Sequence, residues 1–449
     1  MIDPSDGPST PPPDRSSIAP FDASPDRSRG GPLAELIRVE GGQVLATLIR
    51  LTGDIDVAED ALQDATLAAA ESWRRDGVPD RPGAWLTTVA RRKAIDRLRR
   101  ENFRGSREEA AVRLLDDATP DDTGTATPTG GDDHLRLLFT CCHPALSRES
   151  QIALALRTIC GLTTVEIARV FLLPEPTIGQ RVSRAKGKIA SARIPYRVPE
   201  AHELPDRLPP VLAVVYSVFT VGHHAPAGSL DGRVDLADEA IRLGRVLVVL
   251  MPDEAECTGL LALMLATHAR RRARLDAAGD VVLMADQDRS RWDHAAIDEA
   301  SRLVEGALRR GRPGPYQLQA AIACLHGDAT TWADTDWPQI VELYGLLEQR
   351  WPTATVRVNR AVAVGELHGA GAGLRVLDGI DEATVGQWHL YWSVHADLLR
   401  RCGDLDAAAE SYRRALSCPC NDADHRFLER RLAELVGQNM RPLNQPPGR

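Results

Sequence analysis

The residues of this chain best equipped for specific contacts are Thr177, Gln180, Arg181, Arg184 and Lys188. They recur at steps of three and four, so a helix would carry all five on one side. Their hydroxyl, amide, guanidinium and ammonium groups suit the phosphates and base edges of duplex DNA. From Pro176 to Arg197 there are six Arg or Lys and no acid. A second set, Thr88, Arg91, Arg92 and Arg99, shares one side of another helix with Ile95, and Trp85 stands at its edge. A basic stripe that begins with an aromatic can hold a phosphate backbone and stack an exposed base. Taken by itself, Trp85 also suits a core position. A third set is Asp60, Gln63, Asp64 and Leu67, an apolar side chain among acids and an amide on an outward face. That pattern suits docking on a protein, and equally a solvated helix with one stray leucine.

Bond-making chemistry has no counterpart in the sequence. There is no phosphate-cradling glycine loop, no G-x-S-x-G and no H-E-x-x-H. Cys141-Cys142-His143 and Cys418-Pro-Cys420 lack a partner pair at zinc spacing and read as buried thiols. His223-His224 stays unassigned. The expectation is a protein that is no enzyme and uses no metal or cofactor.

The elements that must position these residues are helical. Residues 54–73 place Ala58, Ala61, Leu62, Ala65, Ala69 and Trp73 on one stripe, opposite the docking set. From Ala84 a second helix buries Leu86, Val89, Ala90, Ala94 and Leu98. Ser147 caps a helix running to Cys160, and Gly161 suits its left-handed end. Thr163 and Glu166 form a capping box opening a short helix with Val165, Ile167, Ala168 and Phe171 inward. Pro176 fits the first turn of the next helix, whose inner seam is Ile178, Val182, Ala185 and Ile189. Two short helices, a tight turn and a basic outer face match a helix-turn-helix that reads the major groove.

Charge divides the chain in the same way. The 449 residues carry a net charge of −9, yet residues 134–197 carry +7 and residues 106–133 carry −6. Residues 1–32, rich in Pro and Ser, read as a disordered tail, and 106–133 as an acidic flexible linker. Residues 33–105, 134–197 and 198–449 read as three helical units. No apolar run approaches the ~20 residues of a membrane span, and no secretory signal is visible. Eight scattered cysteines suit reduced thiols in a cytoplasm. In the last unit Trp392, Ala396, Leu399, Ala408, Tyr412 and Ala415 occupy the large and small positions of a tetratricopeptide unit. Gly369 and Gly403 stand 34 residues apart, that repeat's period. Such a superstructure offers a concave surface for a protein or peptide ligand.

Two helical DNA-binding modules on a flexible acidic linker resemble a bacterial sigma factor of the extracytoplasmic function (ECF) group. AEDALQDATLAA (58–69) is similar to the clamp-docking part of sigma domain 2, and PGAWLTTVARRKAIDRLRR (82–100) to the part that melts and reads the −10 element. LTTVEIARVFLLPEPTIGQRVSRAKGKI (162–189) is similar to the −35 reader of domain 4. FTCCHPALS (139–147), PDEAECTGLLALMLATHARRRAR (252–274), LMADQDRSRWD (283–293) and GPYQLQAAIACLH (314–326) resemble the ECF subgroup with a long tetratricopeptide-like C-terminal extension. Tyr216 to His223 departs from that subgroup's F-N-E-G-Y-like stretch.

The resemblance implies an all-α protein that lends promoter recognition to core RNA polymerase. Asp60, Gln63, Asp64 and Leu67 would dock on the polymerase. Trp85, Thr88, Arg91, Arg92, Arg99 and Arg100 would hold the opened −10 strand. Thr177, Gln180, Arg181, Arg184 and Lys188 would meet the −35 duplex. The acidic linker would thread the polymerase channel as a polyanion mimic. The extension would regulate or dock. The rival readings are a helix-turn-helix regulator that never engages polymerase and a tetratricopeptide scaffold with vestigial DNA-binding modules.

Overall fold

The computed structural model describes residues 32–101, 130–171, 173–200, 202–224 and 236–439. Among these every long element is an α-helix, and the only strand-like pairing is one antiparallel bridge between Leu275 and Val281. Residues 1–31 of the expected tail (1–32) and 106–129 of the expected linker (106–133) lie outside the described residues.

The first unit is α1 (Pro32–Thr52), α2 (Ile55–Asp76) and α3 (Pro82–Glu101). The Asp54 carboxylate caps α2, accepting from the amides of Asp56 and Val57. Along α2 the stripe Ala58, Ala61, Ala65, Ala69 and Trp73 is buried, with Leu62 half-buried beside it. Four alanines let α1 and α3 approach closely, and α3 fills the space with Leu86, Ala90 and Ala94. Ile95 departs from the sequence reading. It packs on Leu51, Val57 and Leu98 instead of joining the basic face. A helical sector has no sharp edge, and an apolar side chain at its margin turns inward.

The second unit is α4 (Gly130–Cys141), α5 (Arg148–Thr158), α6 (Thr164–Phe171) and α7 (Glu175–Ser191). Helix α4 starts inside the expected linker, which corrects the boundary at 133. Asp133 is 2% exposed and accepts from Arg50 Nε at 3.0 Å. The Ser147 cap, the left-handed Gly161 and the Thr163–Glu166 box form as the sequence indicates. Val165, expected inward, is 39% exposed, while Ile167 and Ala168 are buried and Phe171 packs half-buried against the core.

The third unit begins with α8 (Leu204–His224), α9 (Leu236–Leu250), α10 (Ala255–His268), α11 (His294–Leu308) and α12 (Pro315–Asp328). It continues through α13 (Trp337–Arg350), α14 (Ala354–His368), α15 (Ala370–Leu377), α16 (Glu382–Val385), α17 (His389–Cys402), α18 (Leu405–Ser417) and α19 (Asp422–Asn439). Consecutive helices pack as neighbours: α8 on α9, α10 on α11, α14 on α15, α17 on α18; α10 also packs on α12. Gly369 and Gly403, both with φ +87°, turn the chain between paired helices. Around Gly403 the expected packing positions are filled, with Trp392, Ala396, Ala408, Tyr412 and Ala415 buried and Leu399 half-buried. In the divergent 216–223 stretch, Tyr216, Phe219 and His223 stack along α8. A Cβ on Gly222 would strike the Ala237 backbone nitrogen, so α8 and α9 touch where only glycine fits.

One apolar core runs through all three units. It extends from Val44 and Leu48 of α1 through Leu137 and Phe139 of α4 and Val215 of α8 to Cys324 of α12. A separate cluster from Val358 to Leu435 holds the last helices together.

Candidate nucleic-acid interface

Helix α7 is held from below. Ile178, Val182, Ala185 and Ile189 are buried against the second unit, and Pro176 sits in its first turn. Its outer side presents Thr177, Gln180, Arg184 and Lys188 to solvent, with Arg181 half-buried at the margin. The five −35 candidates therefore stand together on one face. Both helices before α7 pack beneath it, as a helix-turn-helix requires.

Helix α3 is arranged similarly. Leu86, Ala90, Ala94 and Leu98 face inward, while Thr88, Arg92 and Arg99 are exposed. The Thr88 hydroxyl donates to the Ala84 carbonyl one turn back, at 2.9 Å. Arg91 is half-buried. The Arg100 side chain lies outside the described residues. Trp85 is half-buried, its ring edge-on to Trp73 with centroids 5.3 Å apart. It belongs in part to the core and in part to the surface.

On α2, Leu67 is 59% exposed, with Gln63 and Asp64 exposed beside it. Asp60 is set apart from these: its Oδ2 lies 2.6 Å from Nη2 of Arg97 on α3. This pair ties α2 to α3.

Sequence reasoning missed a contact between units. Lys186, on α7 but outside the five-residue set, donates to Asp56 Oδ1 and to Glu59 Oε2 of α2, each at 2.9 Å. Burial works against its charge, but Glu59 and Asp56 outweigh it and raise the ammonium above its ordinary range. The Tyr196 hydroxyl, just beyond α7, donates between the carbonyl oxygens of Ala46 and Asp133, 2.8 and 2.9 Å away. Only composition pointed here: Lys93, Lys186 and Lys188 are the chain's three lysines.

Cys141 and Cys142 are fully buried, and Cys141 Sγ lies 3.3 Å from Thr158 Oγ1. Burial pushes the Cys141 thiol up to about 12. Among the described residues no group of three or more His, Cys, Asp or Glu could hold a metal ion, and no helix is long and apolar enough to cross a membrane.

Comparison with known proteins matches this division. Residues 36–104 match the Sigma-70 region 2 family and residues 136–189 the Sigma-70 region 4 family. ECF RNA polymerase sigma factor SigL of Mycobacterium tuberculosis is 33% identical over 140 residues, 30% of this chain and 74% of SigL. The chain belongs to the ECF RNA polymerase sigma factors. Probable ECF sigma factor SigI of the same species is 28% identical over 182 residues, 40% of this chain and 62% of SigI. This sigma factor also carries a long helical extension, of which residues 207–308 match a family of unknown function, DUF6596. An uncharacterized protein of Rhizobium meliloti is similar over both parts, 41% identical across 86% of this chain and 91% of its own length. No solved structure matches.

Proposed function

We propose that this sigma factor directs core RNA polymerase to promoters by dividing the work among its helical faces. The unit over residues 33–105 docks and opens: Leu67, with Asp60, Gln63 and Asp64, meets the polymerase. Trp85, Thr88, Arg91, Arg92, Arg99 and Arg100 hold the separated −10 strand. The unit over 134–197 reads the −35 duplex through Thr177, Gln180, Arg181, Arg184 and Lys188. The extension over 198–449 regulates the pair, and its stacked helices suit a protein or peptide ligand.

The observation that carries this reading is the exposed Leu67 face on a helix whose neighbour bears the basic stripe. A regulator acting on DNA alone has no use for a solvent-facing leucine flanked by acids beside a strand-binding helix. The test is in-vitro transcription from genomic template with purified core polymerase and the full chain. New start sites that require the chain are the expected result. Core binding without initiation, or no binding, overturns it.

A further inference from the structure

We propose that Arg270 and Arg274, just past the end of α10, form with the Tyr344 hydroxyl of α13 an oxyanion site in the extension. Its ligand is a small molecule bearing a carboxylate or a phosphate. Such a site goes beyond the sigma reading above and does not depend on it.

The basis is charge without counter-charge. Arg270, Arg274 and the neighbouring Arg289 are all half-buried, yet among the described residues none of the three pairs with a carboxylate. Elsewhere in the extension half-buried arginines are paired: Arg357 and Arg360 lie 2.8 and 2.6 Å from Glu348. Two acids act on the trio from further off, Asp334 on Arg289 and Asp424 on Arg274, and both are engaged by other groups. Asp334 Oδ2 accepts from the Thr330 and Thr331 hydroxyls at 2.7 and 2.8 Å, and Asp424 Oδ2 from Asn421 Nδ2 at 2.8 Å. A cation withdrawn from water is costly unless an anion faces it. Burial, then the charges of Arg274 and Arg289, accordingly lower the Arg270 pKa to about 10.

The geometry leaves donors to spare. Arg270 and Arg289 both stand against Trp292, their guanidinium carbons 5.9 and 4.6 Å from its ring centre. Arg289 is tied down further, its Nη1 donating to the carbonyl oxygens of His326 and Ala329. Arg270 gives Nη1 to Met284 Sδ at 3.0 Å, and Arg274 gives Nη1 to the His223 carbonyl oxygen. Nη2 of Arg270 and of Arg274 makes no hydrogen bond among the described residues. Two guanidiniums four residues apart, each with an edge to offer, suit the paired oxygens of a carboxylate or phosphate. The Tyr344 hydroxyl is likewise unbonded among the described residues. Burial, then Tyr216, push its pKa up while Arg270 pulls it down, and the net rise keeps it a neutral donor.

The experiment is thermal unfolding of the full chain, titrated with potassium phosphate or with citrate while chloride holds the ionic strength constant. A ligand of the folded state raises the melting temperature as it binds. The wild type should show a saturable rise with at least one of the two anions, and the one that acts at lower concentration names the group. Arg270→Met combined with Arg274→Met should need at least about tenfold more anion for half the rise, the equivalent of ~1.4 kcal/mol. Should that variant fail to fold, Arg270→Lys with Arg274→Lys keeps the charge, loses the planar fork and should show the same loss. Arg181→Ala with Arg184→Ala, on the outer face of α7, should respond as the wild type does. A wild-type response no greater than that to chloride, a response kept at full strength without Arg270 and Arg274, or one lost with Arg181 and Arg184, overturns the site. None of these results bears on the sigma reading, which core polymerase tests.

Discussion

Arg97 of α3 and Asp60 of α2 form an ion pair of 2.6 Å, linking the helix proposed to hold the −10 strand to the helix proposed to dock on polymerase. Both side chains are over 40% exposed, so the pair contributes only ~0.2–1 kcal/mol to stability. Arg97→Ala and Asp60→Ala should therefore lower urea-unfolding stability by the same small amount. Only Asp60→Ala should also weaken binding to core polymerase. Equal loss of affinity in both variants would mean that Asp60 acts through Arg97.

Leu67 makes the sharper test of docking. With most of its surface in water, Leu67→Arg should change folding stability by less than about 0.5 kcal/mol. Core binding measured by fluorescence anisotropy should fall at least tenfold, ~1.4 kcal/mol. Wild-type affinity would remove this face from the interface.

Arg181 and Arg184 differ in surroundings, half-buried against exposed, and should differ in role. Either one that reads a guanine should cost ~1–3 kcal/mol at its own base pair when changed to Ala. One that touches only phosphate should weaken all sequences alike and reduce the salt slope by about one. Titrating duplexes across salt concentrations separates the two outcomes, and an unchanged double mutant would place α7 off the DNA.

Stability of the extension should depend on pH through His326, stacked on Trp332 and edge-on to Trp337. Burial, then the charges of Arg270 and Arg289, lower its pKa from 6.5 to about 4. Between those values the unfolded chain holds a proton that the folded chain lacks, so stability rises with pH. The contribution is complete above pH 6.5 and lost as pH falls toward 4. Thermal melts of His326→Gln should lack that part of the acid limb, and an identical pH profile would refute the assignment.

Two glycines make opposite predictions. Gly222→Ala should destabilise by ~1–3 kcal/mol, because its Cβ would strike the α9 backbone. Gly187→Ala, in α7 with open space around the added carbon, should stabilise by ~0.5–1 kcal/mol. Chemical denaturation of the two variants reads both signs.

The helices themselves were legible because their signals are local. Asp54, Ser147 and Thr163 cap through side chains two or three residues from their partners, and the seam of α7 follows from spacing alone. Margins were harder: Ile95 and Val165 lie where a sector's edge depends on which neighbour covers it. Least legible was the meeting of units. Lys186 and Asp56 are 130 residues apart, and periodicity shows that a face exists without showing which other face it meets. Asp133 was hidden for the same reason, since its partner Arg50 lies 83 residues away.

The shared interior from Val44 to Cys324 bears on how such a molecule can change over generations. Sigma modules joined only by a string can be shuffled between genes like beads. Here Phe139 of α4 and Val215 of α8 belong to one continuous core, which a graft would leave unmatched and wet. The sigma units and the extension are thereby tied together, each constraining the substitutions the other tolerates.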